Sequence, residues 1–420
     1  MHKKITLLNK LRLLVLPLKE SHSVAVTFYV RAGSRFETAK NNGIAHFLEH
    51  MAFKATKDFA SEFELSKFVE GFGGHTNAST GEEEIRYFIR AETSHLKDIV
   101  YVLDQMLFKP RFDAKDIDKE RGVIIEELNM YNDVPEYKVS LLVDALTWPN
   151  HPLGRFTVGT KETLNSFVRD DFVSYSQNFY SPSNMVIGIS GNFQEAEAQQ
   201  LIEKYFSGLV EHDVPEFERL GDPQQSPRVV AEKRASEQTH VCVNFLGVPL
   251  GDSRWFAAKL ASGILGGGMS SRLFQKIRAD LGLAYYVNSH ASSFLDTGVI
   301  QISAGLNNEK AHQGVSEILA EVKKFVKEGV TDEELTRNKE LHKGLLAIRL
   351  EDHQAYNGFL SARELLKNEV ISYEDYLTKI NAVTKDGVNE VIAKLLTPQT
   401  MNVASVGNLT EDVLKSIVEG

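Results

Sequence analysis

His46, Glu49 and His50 stand in the order His-x-x-Glu-His within Ile44-Ala45-His46-Phe47-Leu48-Glu49-His50-Met51. On a helix, residues four apart sit one above the other on a single face. Both imidazoles can then aim a nitrogen at one divalent ion, at roughly 2.0–2.1 Å for zinc. Glu49 flanks the same face, where it can reach a water on that ion without ligating it. The spacing thus offers two metal ligands and a general base. The plainer alternative is a solvated helix face whose polar groups simply meet water.

A catalytic zinc takes three protein ligands and keeps one position open. The stretch 115–131 has helical spacing and several carboxylates. Glu120 and Glu127 are seven apart, two turns, and share a face. Ile124, Leu128 and Tyr131 border Glu127, which marks that face as turned inward. A carboxylate there is costly unless paired or bound to a metal. Glu127 is therefore the expected third ligand, with Glu120 orienting a ligand or the helix. Its neighbour Glu126 stays open as an alternative, and Glu83 has no comparable placement. Asp352-His353 lacks a third partner and is expected at the surface.

These residues need elements to hold them. The run 24–30 is rich in β-branched and aromatic residues and ends at Gly33, so it reads as a strand. Residues 44–53 read as the helix carrying the histidines, 84–89 as a strand, and 96–107 and 115–131 as helices. Strands and helices do not alternate strictly. The expected class is α+β, with mainly antiparallel sheets packed with helices.

At 420 residues the chain exceeds one ordinary core. Pro182-Ser183-Asn184-Met185 leads to Gly191-Asn192, and Pro398-Gln399-Thr400-Met401 leads to Gly407-Asn408. Each pair lies 216 residues apart, as do Asp170 and Asp386, the mark of a duplicated domain. Pro215, Gly221, Pro223 and Pro227 break periodicity between the halves. The expected division is a metal-binding domain over 1–210, a linker over 211–228 and a homologous domain over 229–420. The same offset carries His46, Glu49 and His50 onto Ser262, Leu265 and Gly266. The second half has lost the metal chemistry and is expected to close over substrate.

A net charge of −10 excludes a general nucleic-acid binder, which needs a basic surface. The single cysteine, Cys242, lies in an apolar run and is expected to pack as a core residue. The apolar run 13–18 carries Pro17 and reads as a first strand rather than a signal segment. No run approaches the roughly 18 apolar residues of a membrane span. A soluble protein without a targeting segment is expected, and the absence of a transit peptide points to the bacterial cytoplasm.

His46-x-x-Glu49-His50, with Glu127 in Glu120-Arg121-Gly122-Val123-Ile124-Ile125-Glu126-Glu127, resembles the pitrilysin and insulin-degrading enzyme family of zinc peptidases. The resemblance is to its half-length branch, which includes mitochondrial processing peptidase and bacterial relatives. It extends through Gly33-Ser34-Arg35, Gly73-Gly74-x-x-Asn77-Ala78, Tyr87, His151-Pro152-Leu153-Gly154-Arg155, Ser270-Ser271-Arg272-Leu273-Phe274, Arg278 and Tyr285. It implies a zinc endopeptidase holding one Zn2+ per chain on His46, His50 and Glu127. Glu49 would deprotonate the zinc-bound water. The segment 74–80 would form an edge strand taking an extended peptide, with contacts from Gly74, Asn77 and Ala78. Arg278 and Tyr285 would contact substrate near the scissile bond, the tyrosine hydroxyl steadying the oxyanion. Four such domains enclose a chamber in this family. The resemblance therefore implies a homodimer, or a heterodimer with a paralogue, that admits short or unfolded peptides. A non-catalytic scaffold subunit is the alternative, disfavoured by the intact motif.

Overall fold

The computed structural model describes residues 2–221 and 224–420, so Pro223 of the expected linker lies outside the described residues, as does Met1. Among the described residues eleven strands form two sheets. The first contains β1 (Lys3–Thr6), β2 (Arg12–Pro17), β3 (Ser23–Val30), β4 (His75–Thr80), β5 (Ile85–Glu92) and β6 (Met185–Gly191), in the order β1-β2-β6-β3-β5-β4. The second contains β7 (Arg228–Lys233), β8 (Gln238–Leu246), β9 (Ala284–Ser293), β10 (Gly298–Asn307) and β11 (Met401–Gly407), in the order β7-β11-β8-β10-β9. All pairings are antiparallel except β2 with β6 and β11 with β7. The class is α+β, as the mixed run of strands and helices led one to expect.

The duplication is visible strand by strand. Adding 216 to the bounds of β2 and β6 returns the bounds of β7 and β11. The β6 and β11 segments are buried throughout, as centre strands covered on both faces must be.

Chain order and packing nevertheless part company in two helices. One compact unit comprises Met1–Leu128, Phe156–Glu218 and Leu346–Ser372, and the other comprises Asn129–Arg155, Arg219–Leu345 and Tyr373–Gly420. The helix Pro135–Thr147 packs Val139 and Val143 against Cys242, Ala404 and Val406 of the second sheet. The helix His353–Lys367 packs Leu360 and Leu365 against Leu14, Tyr29 and Val186 of the first. These helices occupy matching places in the two halves, so each half lends the other one helix. Cys242 is buried, as expected of a core residue, and burial pushes its thiol up to about 11.

His353 corrects one expectation. It is buried, with its ring between the hydroxyls of Ser23 and Ser190, each 2.9 Å away, while Asp352 caps the helix. Its helix covers the first sheet, so the ring has strands beneath it rather than water.

Candidate metal centre

The helix Ile44–Met51 begins at Gly43, whose φ of 96° favours glycine and where an added Cβ would stand 2.5 Å from the Val158 carbonyl oxygen. Glycine offers no cap, and Glu37 supplies one. Its carboxylate accepts from the amides of Gly43 at 2.8 Å and Ala45 at 2.9 Å, satisfying donors the helix start leaves free. Phe47 packs edge-on against Phe172 and Phe167, while Ile44, Ala45, Leu48 and Met51 are buried. Burial of that side sets the roll of the helix and turns His46, Glu49 and His50 the other way.

The third carboxylate comes from the helix Ala114–Asp133. Its Ile117, Ile124 and Leu128 are buried, as is Glu120, whereas Glu127 is half-buried and Glu126 exposed. Donor atoms of His46, His50 and Glu127 all lie within 4.8 Å of one another. Glu127 Oε2 is 3.7 Å from His46 Nε2 and 3.6 Å from His50 Nε2. That is too long for hydrogen bonds. It is close to the about 3.4 Å between ligands of a tetrahedral ion at roughly 2.0–2.1 Å. The donor set therefore fits zinc.

Protonation agrees with that fit. Burial, with the nearby His50, holds His46 down at about 3, so its imidazole is neutral and able to ligate. His50 Nδ1 lies 2.8 Å from Glu120 Oε1, which leaves Nε2 to face the cluster. Burial disfavours charged His50, but the hydrogen bond and charge of Glu120 outweigh it and raise its pKa. Burial works against charged Glu120 too, and its bonds to His50 and Lys54 prevail, holding it below the ordinary carboxylate range. Burial raises Glu127 and also Glu49.

Two further residues complete the cluster, and neither was singled out by sequence. The Thr80 hydroxyl donates to Glu49 Oε2 at 2.5 Å. Lys54 Nζ stands 2.6 Å from Glu120 Oε2. Lys54 lies in the turn beyond the end of the histidine helix, where four-residue spacing no longer marks a shared face.

The expected substrate strand is β4, at the edge of the first sheet and, among the described residues, paired only with β5. Gly73 has a φ of 68°, and a Cβ on Gly74 would meet the side chains of Phe72, just past the preceding helix, and Val69, within it, at 2.5 and 2.8 Å. Gly74 thus lets these side chains close over the backbone before the strand begins. Asn77 is exposed, and its Oδ1 accepts from the Ala78 amide at 2.9 Å. Tyr87 is buried with its hydroxyl 2.9 Å from that of Tyr180, and Arg35 pairs with Glu83 at 2.5 Å, so these serve the core.

In the second unit Arg278 lies on a wide π-helical turn, Phe274–Asp280, and Tyr285 on β9. The Arg278 guanidinium is 5.8 Å from the Tyr285 ring centre, and Tyr285 is 73% exposed. Among the described residues no carboxylate pairs with Arg278. Arg272, by contrast, is occupied by two hydrogen bonds to the Glu334 carboxylate.

Comparison with known proteins follows the same lines. Residues 14–161 match the family described as insulinase, peptidase family M16, and residues 166–341 match the peptidase M16 inactive domain. An uncharacterized zinc protease, YmxG of Bacillus subtilis, is 34% identical over 400 residues, covering 94% of this chain and 96% of its own. An uncharacterized zinc protease of Streptomyces coelicolor is 32% identical over 400 residues, covering 94% and 87%. The fold is shared with a protease from Helicobacter pylori, with a TM-score of 0.90 and 24% identity over 97% of this chain and 99% of that one. It is shared too with an M16-like peptidase of Alicyclobacillus acidocaldarius, with a TM-score of 0.85 and 20% identity over 97% and 98%. Among the described residues no helix is long and apolar enough to cross a membrane.

Proposed function

The chain belongs to peptidase family M16, and from that premise we propose that it is a zinc endopeptidase acting on short or unfolded peptides. One observation carries the reading: three donor atoms suited to zinc converge beside a glutamate that is itself held in place.

His46, His50 and Glu127 would hold the ion. Zinc, when bound there, supplies Lewis acidity that polarises the scissile carbonyl and acidifies the attacking water. The protein's own groups do the rest. Thr80 fixes Glu49 Oε2, leaving Oε1 to take the proton of the attacking water and later deliver it to the leaving amine. Partial burial raises the Glu49 pKa, which brings it nearer to the value a general base wants at neutral pH. The β4 edge would bind the peptide as an added strand beside Gly74, Asn77 and Ala78. Thr80, the last residue of that strand, would then link substrate binding to the base. Arg278 and the exposed Tyr285 would meet substrate near the scissile bond. Pairing with a second copy or a paralogue would close the chamber, and we place the activity in the bacterial cytoplasm.

The test is cleavage of a quenched fluorescent peptide of about ten to twenty residues, long enough for strand addition. Chelation should abolish cleavage and zinc should restore it. Glu49→Gln should keep its zinc and lose roughly 10²–10⁴-fold in kcat. Cleavage that survives both the chelator and the substitution would sink the proposal.

A further inference from the structure

Lys54 is a buried cation with two carboxylates on it. It is 8% exposed, and its Nζ lies 2.6 Å from Glu120 Oε2 and 2.9 Å from Glu62 Oε2. The other oxygen of Glu120 meets His50 Nδ1 at 2.8 Å. A continuous line therefore runs from the surface carboxylate of Glu62 through Lys54 and Glu120 to the imidazole. Its members come from four segments: the start of the helix Glu62–Gly71, the turn after the histidine helix, the helix Ala114–Asp133 and the histidine helix itself.

We propose that Lys54 is a positioning residue for the metal centre, pinning Glu120 so that His50 presents its Nε2 lone pair. The inference rests on reading His46, His50 and Glu127 as a zinc site. The physical argument concerns orientation. A carboxylate can rotate about its χ angles, and a buried one turns toward whatever cation or donor is nearest. Lys54 occupies Oε2, so Oε1 is the atom left to accept from His50. On the outer side of Lys54 lies an open cleft of about 500 Å³ lined by Ser61, Glu62, Ser66, Asp116 and Lys119. Without the ammonium, Glu120 would be free to turn toward that solvent-open cleft and release the ring. Glu62 matters less, because its side chain is 48% exposed and already meets solvent.

Zinc affinity, measured by competition with a chromogenic chelator, decides the matter. Lys54→Met should weaken zinc binding by about tenfold, the low end for loss of a group that orients a ligand. Lys54→Arg should recover most of that affinity. Glu62→Gln, which cuts the exposed half of the clamp, should stay within about twofold of the parent if the effect runs through Glu120. In a Glu120→Gln background Lys54→Met should add little, the non-additivity expected of two groups in one chain of contacts. If Lys54→Met fails to fold, Lys54→Gln carries the same expectation. Zinc held equally by parent and Lys54→Met would overturn the inference and leave the metal-site reading standing. Equal losses in Glu62→Gln and Lys54→Met would overturn it in favour of a plain interhelical clamp. A parent protein that binds no zinc would overturn both readings.

Discussion

Glu126 and Glu127 are adjacent in sequence and about 100° apart around their helix, and that rotation separates a solvated carboxylate from one facing two imidazoles. Periodicity places Glu127 beside Ile124 and Leu128, and the helix does bury both neighbours. Glu127→Gln should therefore take the protein from about one zinc per chain toward none after dialysis, while Glu126→Gln keeps the metal. Metal analysis of the two variants measures this directly, and equal retention would show that Glu127 is no ligand. The local motif was legible because four-residue spacing is a property of any helix. Glu37, Thr80 and Lys54 were not legible in the same way. Each acts on the cluster from another turn or segment, and a carboxylate cap, a threonine and a lysine are common enough to carry no signal alone.

At the scale of elements, the exchanged helix His353–Lys367 lies across β6 so closely that a Cβ on Gly188 would stand 1.8 Å from Asn357 Oδ1. Asn357 is itself fixed, donating to the Leu14 carbonyl at 2.9 Å and accepting from Ser361 at 2.9 Å. Gly188→Ala should therefore destabilise the protein by about 1–3 kcal/mol, the usual cost of overpacking a well-filled core. Urea unfolding reads this as a lower midpoint with an unchanged slope. A change below about 0.5 kcal/mol would mean that the helix can back away from the strand. The strands and most helix positions could be read from alternation and turn residues. What alternation could not show is which sheet each helix covers, because Leu360 and Leu365 have the same apolar face wherever they dock.

Over the whole chain, each sheet takes one covering helix from the other half of the sequence. A fragment comprising 1–218 contains every strand of the first sheet and lacks the helix that covers Leu14, Tyr29 and Val186. It also lacks Glu364, which is 1% exposed and meets Arg12 and Lys4. Such a fragment leaves apolar surface and the Arg12 guanidinium without their cover. It should be expanded and bind a hydrophobic dye, and should regain near-ultraviolet circular dichroism on mixing with 219–420. A fragment that folds cooperatively by itself would show that the exchanged helix is dispensable.

The sequence alone determined which side chains share a helix face, and it showed the repeat. A helix of known pitch sets which residues share a face, and a duplication leaves matching spacings, so His46, Glu49, His50, Glu127 and the 216-residue offset were visible without coordinates. The class of fold followed from the order of strands and helices. Only tertiary structure decided which helix covers which sheet and how Glu120 reaches both His50 and Lys54. It also decided that His353 is buried rather than exposed. Those facts depend on contacts between residues tens to hundreds of positions apart. Their geometry comes from packing two sheets and their helices to full density, and no single segment carries that information.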